Sequence, residues 1–275
     1  MIIATAVEIA DSRADRIGSK FYARRARSVL NRNFTAFKSS TWMVVLSGFV
    51  EPVLYLFAFG FGLGQFIGDI SVSNNAVTYA MYIAPGLLAT SAMNGAIYDS
   101  TWNVFFKMHF SKTYQGMLAT SLGPLDVALG EISWALFRGF IYALGFTAIV
   151  APLGLIPSWW GILAVPASVL IAFGFASIGM AITSYIKSFQ QMGAINLAIL
   201  PMFLFSGAFY PIEVFPETAQ LIIKALPLNH GVSLIRGLTL GEIDLGLLGH
   251  ASYFVVMIAI GLFFTTKRLN ALFMR

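Results

Sequence analysis

The sequence predicts an all-α polytopic membrane protein, and three observations carry that prediction. Of the 275 residues, 58% are hydrophobic and only 11% are charged, against roughly 45–50% and about 25% in soluble domains. Mean hydropathy is +0.79. A soluble fold of this size has too much surface for so few charges, so lipid must solvate the rest. Stretches of roughly 20 residues without Asp, Glu, Lys or Arg also recur along the chain, the length that crosses a hydrocarbon core.

Residues 1–40 read as a cytoplasmic N-terminal segment. The apolar start, Met1 to Val7, is too short for a signal peptide, and Arg13, Arg16, Lys20, Arg24, Arg25 and Arg27 follow it. Over residues 20–39, Tyr22, Ala26, Val29 or Leu30, Asn33 and Phe37 recur at helical spacing, with Arg24, Arg27, Arg32 and Lys38 elsewhere on the wheel. This predicts an amphipathic helix in the membrane interface; the alternative is a solvated basic arm.

Residues 41–275 read as one membrane domain of six spans. The first covers about 42–64, broken by Glu51, and the second about 79–98. The third starts near Leu125 and carries Glu131 and Arg138. The charge-free run from there to Lys187 holds the end of that span, a turn at Pro152 to Pro157, and the fourth span. The fifth covers about 190–210 and the last about 245–266. In this layout the N-terminal basic residues, Lys107, Lys112, Lys187, Lys267, Arg268 and Arg275 share one side. The opposite loops hold Lys224 and Arg236 against Asp69, Glu213, Glu217, Glu242 and Asp244. The positive-inside rule then places both termini in the cytoplasm.

The net charge of +5 therefore reports membrane topology, not nucleic-acid binding. There is no cysteine, which excludes disulfides and thiol sites, and His109, His230 and His250 lack metal-ligand spacing. No resident cofactor is expected. Gly60-x-Gly62-x-Gly64 lies in an apolar helix with no strand before it and no Lys-Ser/Thr after it, so it is not a phosphate loop. Small residues such as Gly174 and Ser177 suit close helix packing. No Walker motif occurs, so any ATP driving this protein is hydrolysed by another chain.

Two polar segments stand out. The loop 106–124 mixes apolar and basic residues and has room for one short helix along the membrane surface. It fits a force-transmitting element or a plain connector. Residues 206–237 are amphipathic and broken by Pro211, Pro216 and Pro227. They predict short helices dipping into the outer leaflet, their breaks sheltered by protein.

Four charges fall inside the spans. Glu51 precedes Pro52 near mid-span, Asp99 ends the second span, and Glu131 and Arg138 sit two turns apart on the third. A buried membrane charge costs roughly 2.5–3.5 kcal/mol on insertion scales, so each should face protein or a water-filled space. Glu51 fits a translocation path or an interhelical pair equally. Glu131 and Arg138 are too far apart for direct i,i+4 pairing and fit separate interhelical partners better.

Several stretches carry a family resemblance. They are Glu51-Pro52-Val53-Leu54-Tyr55-Leu56 with Gly60 to Gly64, Ala84-Pro85-Gly86 to Met93, Met117 to Leu122 with Leu129-Gly130-Glu131, and Phe205-Ser206-Gly207 through Pro211 to Leu226-Pro227-Leu228 and Arg236-Gly237. In this order and spacing, over residues 25–270, the chain resembles the membrane subunit of an ABC-2 type exporter, nearest the nodulation lipo-oligosaccharide and antibiotic-efflux subgroup. The resemblance implies an exporter subunit of a bacterial cell membrane. It implies pairing with itself or a homologous permease, and two cytoplasmic ATPase subunits that bind ATP and Mg. They would dock on a coupling helix around Lys107, Lys112, Tyr114, Met117, Leu118, Ser121 and Leu122. Many relatives have proline where Ser121 stands. Glu51, Tyr55, Phe57, Phe61, Met93, Met202, Phe203 and Phe205 are the expected path residues for an amphiphile. A secondary transporter or channel is the competing reading. It needs ion-relay carboxylates, and Glu51, Asp99 and Glu131 lie on separate helices with no evident pairing. A membrane-embedded transferase needs acidic or His clusters that the sequence lacks.

Overall fold

The computed structural model describes residues 25–38, 43–72 and 75–273. Arg13, Arg16, Lys20, Tyr22, Arg24, Trp42 and Arg275 lie outside the described residues, and with them most of the expected N-terminal segment. Among the described residues the chain is helical apart from one hairpin and short connections.

Helix α1 (Ala26–Lys38) buries Val29 and Asn33, two of the positions that the amphipathic pattern assigned to its inner face. Helix α2 (Met43–Tyr55) contains Pro52 and runs on as a π-helical stretch, Leu56–Leu63, and a last turn, Gly64–Ile67. The wider winding begins one turn beyond Pro52, which lacks an N–H for the regular ladder. Strands β1 (Asp69–Val72) and β2 (Asn75–Thr78) pair antiparallel with Asp69 opposite Thr78. Thr78 then caps α3 (Tyr79–Tyr98), its Oγ1 accepting from the Met81 N–H at 3.4 Å. The same helix continues through π-helical stretches at Asp99–Asn103 and Phe106–Phe110.

The short helix expected in the next loop is α4 (Thr113–Leu118). Helix α5 (Pro124–Val150) starts with proline in its first turn, and the Asp126 carboxylate accepts from the Gly123 N–H at 2.9 Å. A 3₁₀ turn, Trp159–Leu163, leads into α6 (Ala164–Tyr185), and another, Phe189–Met192, into α7 (Gly193–Leu204). The proline-broken segment folds as a turn at Ile212–Val214, α8 (Glu217–Ala225) after Pro216, and α9 (Pro227–Leu240) begun by Pro227. Helix α10 (Leu245–Phe273) closes the chain.

Helices α3, α5, α6 and α10 form the packed centre. Small residues set how closely they approach: a Cβ on Gly261 of α10 would lie 2.6 Å from the Ser177 Cβ of α6. Helix α2 is lightly packed, and α7 has no buried residue at all.

Four stretches are long and apolar enough to cross a membrane: Val50–Ile67, Pro124–Val150, Trp159–Tyr185 and Leu245–Phe273. Phe189–Leu204 is apolar but shorter. Almost every side chain of α3 is buried among its neighbours. The molecule is a polytopic helical membrane protein.

The two ends of the bundle differ. At one, α1, the end of α3, α4 and the start of α5 meet the ends of α6 and α10, where Arg268 Nε donates to the Ser184 carbonyl at 3.3 Å. At the other, residues 205–216 and α9 gather around the start of α3, and the Ser158 N–H donates to the Thr239 carbonyl at 3.1 Å.

Candidate functional site

Between the lightly packed helices α2 and α7 and the buried faces of α3 and α5 lies a cavity of about 450 Å³. Its lining is polar for a membrane protein: Glu51 from α2, Asn94, Tyr98 and Trp102 from α3, Arg138 and Tyr142 from α5, and Asn196 from α7. Gly48 and Gly95 open the wall between these groups. Gly95 is needed there, because a Cβ would lie 2.7 Å from the Tyr142 ring. Glu51, read from the sequence as either a path residue or a pairing partner, faces this cavity.

The other membrane charges resolve into interhelical pairs. Arg138 Nη1 donates to Asp99 Oδ1 at 2.8 Å, and its other nitrogen donates to the Tyr142 hydroxyl. Asn103 Nδ2 donates to the same Asp99 oxygen at 2.5 Å. Glu131 accepts from Lys107 Nζ at 2.6 Å and from Asn33 Nδ2 at 3.1 Å, while Asn33 Oδ1 accepts from Lys107 at 3.0 Å. Thus α5 is clipped twice to the α3 continuation, and α1 joins the second clip. Asn33 was legible only as a polar residue on a helix face that should be apolar.

The expected path residues divide. Tyr55 and Phe203 meet at 5.8 Å, joined by Phe59 and Phe209 in one aromatic cluster that ties α2 to α7. Phe57 and Phe61 pair with each other at 5.5 Å on the exposed side of α2. Phe205 packs on Phe215 at 5.8 Å, and Met202 borders a second, apolar cavity. Met93, also expected on the path, is fully buried in the core, where α3 is enclosed along most of its length.

The expected docking residues divide as well. Lys112 and Ser121 are exposed. Tyr114, Met117 and Leu118 point inward and are buried, and Leu122 packs against the core. Burial pushes the Tyr114 phenol well above its usual range, with Glu131 reinforcing the shift, so it stays neutral. Lys107, expected among the docking residues, is paired with Glu131. The outward face of α4 is instead Gln115 and Gly116, followed by Ala119 and Thr120. Sequence reading missed the anchor behind it. The Asp126 carboxylate also accepts from the Arg25 N–H at 2.7 Å, and the Arg25 guanidinium donates to the Ser121 hydroxyl. Ser121 thus ties α1 to this loop.

At the opposite end, α9 holds the chain beyond α7. Asn229 Nδ2 donates to the Ser206 carbonyl at 2.9 Å, and Arg236 Nη2 donates to the carbonyls of Gly207 at 2.9 Å and Tyr82 at 3.2 Å. The Arg236 guanidinium also lies 3.9 Å from the Tyr82 ring centroid. Gly207 adopts φ +75°, which presents its carbonyl to Arg236. Asn229 and Arg236 are seven residues apart, two turns along one helix face, a signal that the sequence contained.

A helical bundle with a polar cavity beside its two least-buried helices and polar clips at one end suits a membrane transport subunit. The chain belongs to the ABC-2 type transporter family, whose model matches residues 24–240. It is 32% identical over 250 residues to nodulation protein J of Rhizobium leguminosarum bv. trifolii, covering 90% of this chain and 94% of that protein. It is also 32% identical over 211 residues to nodulation protein J of Sinorhizobium fredii, covering 76% and 79%. The inner membrane transport permease YadH of Escherichia coli is 26% identical over 214 residues, covering 76% and 80%.

Proposed function

We propose that this chain is the membrane subunit of an ATP-driven exporter that moves an amphiphile, such as a lipo-oligosaccharide, a lipid-linked saccharide or a drug, out of the cytoplasm or inner leaflet. The observation that carries the reading is the polar cavity bounded by the two helices least packed into the bundle. A head group would sit among Glu51, Asn94, Asn196, Tyr98 and Trp102, and the Tyr55–Phe203 cluster would flank its way out. Family membership supports an ATPase partner, and the similarity to nodulation protein J supports a lipo-oligosaccharide-like cargo.

In this reading the subunit crosses a bacterial inner membrane six times with both termini in the cytoplasm, α3 and α7 being the two further spans. A second copy or a homologous permease completes the path. ATP and Mg bind the partner ATPases, which dock on α4. Asn33, Lys107, Glu131 and the Arg25–Asp126 contact make α1, the end of α3 and α5 one lever for their movement. The ion-relay alternative loses ground because Asp99 and Glu131 are each committed to a cation.

The test is reconstitution with a cognate ABC ATPase. Proteoliposomes should translocate a labelled acylated saccharide only with ATP, and Glu51→Ala or Asn196→Ala should raise KM for that cargo. ATP-independent transport would refute the reading.

A further inference from the structure

Beside the polar cavity lies a second, of about 270 Å³, between α3, α6, α7, α10 and the start of α9. Its walls include Ile178 and Ile182 of α6, Ala198 of α7 and Met257 of α10. Thr101 also borders it, and its hydroxyl proton is committed to the Ile97 carbonyl at 2.6 Å. The two cavities share a wall: Ile97 and Ile199 line both. Helix α7 stands over the join, presenting Asn196 to the polar side and Ala194 and Ala198 to the apolar side.

We infer that the apolar cavity is a seat for one hydrocarbon chain, and that its occupant is the chain of the same amphiphile whose head fills the polar cavity. The inference rests on the exporter reading above and adds a subsite to it. An empty apolar void forfeits contacts on every wall, so in a bilayer something apolar fills it. Hydrophobicity does not choose the occupant, because lipid tails are as apolar as the cavity. The choice comes from the tether: a head held at Glu51, Asn94 and Asn196 keeps its chain at high local concentration beside Ile97 and Ile199. A headless chain has no such advantage, and a phospholipid tail is the competing occupant that the probes below separate.

Photolabelling in nanodiscs tests this. The probes are a long-chain alkyl glucoside with a diazirine at the chain end, the same glucoside with the diazirine on the sugar, the matching alcohol, and phosphatidylcholine carrying the same chain-end diazirine. The chain-end glucoside should label peptides containing Ile182, Ala198 and Met257 about tenfold above the alcohol and the phosphatidylcholine at equal membrane fraction. Ala198→Phe, and independently Ala194→Leu, should abolish that labelling while the sugar-labelled probe still marks Trp102 or Asn196. Equal labelling by phosphatidylcholine, or labelling that survives both substitutions, overturns the chain seat and leaves the exporter reading intact. Failure of the sugar probe to mark the polar cavity overturns the reading beneath it as well.

Discussion

Arg138 on α5 and Asp99 on the α3 continuation form an ion pair at 2.8 Å with only 9% and 2% of their side chains exposed. Both ends are reinforced, Arg138 by Tyr142 and Asp99 by Asn103. Removing one partner strands a buried charge, at a cost of roughly 3–5 kcal/mol, whereas apolar replacement of both is often close to neutral. Arg138→Met alone should therefore lower the unfolding temperature in detergent sharply, and Asp99→Leu/Arg138→Met should recover most of the loss. Equal destabilisation by the single and double variants would show that the pair does not hold the two helices.

The docking surface can be separated from the fold at Gly116. A Cβ there meets nothing within 4 Å, so Gly116→Trp should leave stability unchanged. It should block co-purification of the ATPase if α4 is where that partner sits. Leu118→Ala should behave oppositely. Its side chain is buried, so the first effect is a loss of roughly 2–5 kcal/mol in stability, read as a lower unfolding temperature.

Close approach sets a second contrast. A Cβ on Gly86 would lie 2.7 Å from the Ala208 backbone, while one on Gly249 meets nothing within 4 Å. Gly86→Val should destabilise by about 1–3 kcal/mol by forcing α3 away from residues 206–209. Gly249→Ala should be neutral or slightly stabilising, since alanine favours the helix. Thermal unfolding of the two purified variants separates these outcomes.

Arg236→Leu removes the donor to the Gly207 and Tyr82 carbonyls and leaves the Gly207 carbonyl with the Tyr82 hydroxyl, at 3.3 Å. A hydrogen bond from a charged donor is worth about 1.5–3 kcal/mol. Hydrogen exchange should rise in residues 205–216 and at the start of α3, with α5 and α6 unchanged. Arg236→Lys should rescue only partly, because an ammonium cannot reproduce the forked contact and the stack on Tyr82.

His230 of α9 and His250 of α10 face each other with their Nδ1 atoms 2.7 Å apart, and His230 stacks on Tyr253 at 4.1 Å. Burial, and then His250, lower the His230 pKa below its ordinary value. The neutral pair's contribution is therefore fully present above about pH 6.5 and is lost as pH falls through the depressed folded value. Acidification should increase hydrogen exchange in α9, and His230→Gln should remove that pH dependence.

Much was legible in the sequence because a bilayer imposes simple rules. Charge-free length located α2, α3, α6, α7 and α10, since every backbone polar group must be satisfied within a segment that crosses lipid. Pro211, Pro216 and Pro227 marked the breaks in the segment that holds α8 and α9, because proline suits a first helical turn and not an interior one. The spacing of Val29 and Asn33 gave the inner face of α1.

Tertiary structure decided which side chains meet. Composition predicts that Glu131 and Arg138 need partners, but not that these are Lys107 and Asp99, because any helix can turn a charge toward any neighbour until packing fixes its rotation. The burial of Met93 and the pairing of Lys107 were hidden for that reason: an apolar or basic residue looks the same in sequence whether it faces lipid, solvent or another helix. The cavity between α2, α3, α5 and α7 is likewise a property of spacing between helices. The sequence by itself determined that this chain lives in lipid as a set of helices; only their packing decided where the bilayer-crossing bundle leaves room for a polar guest.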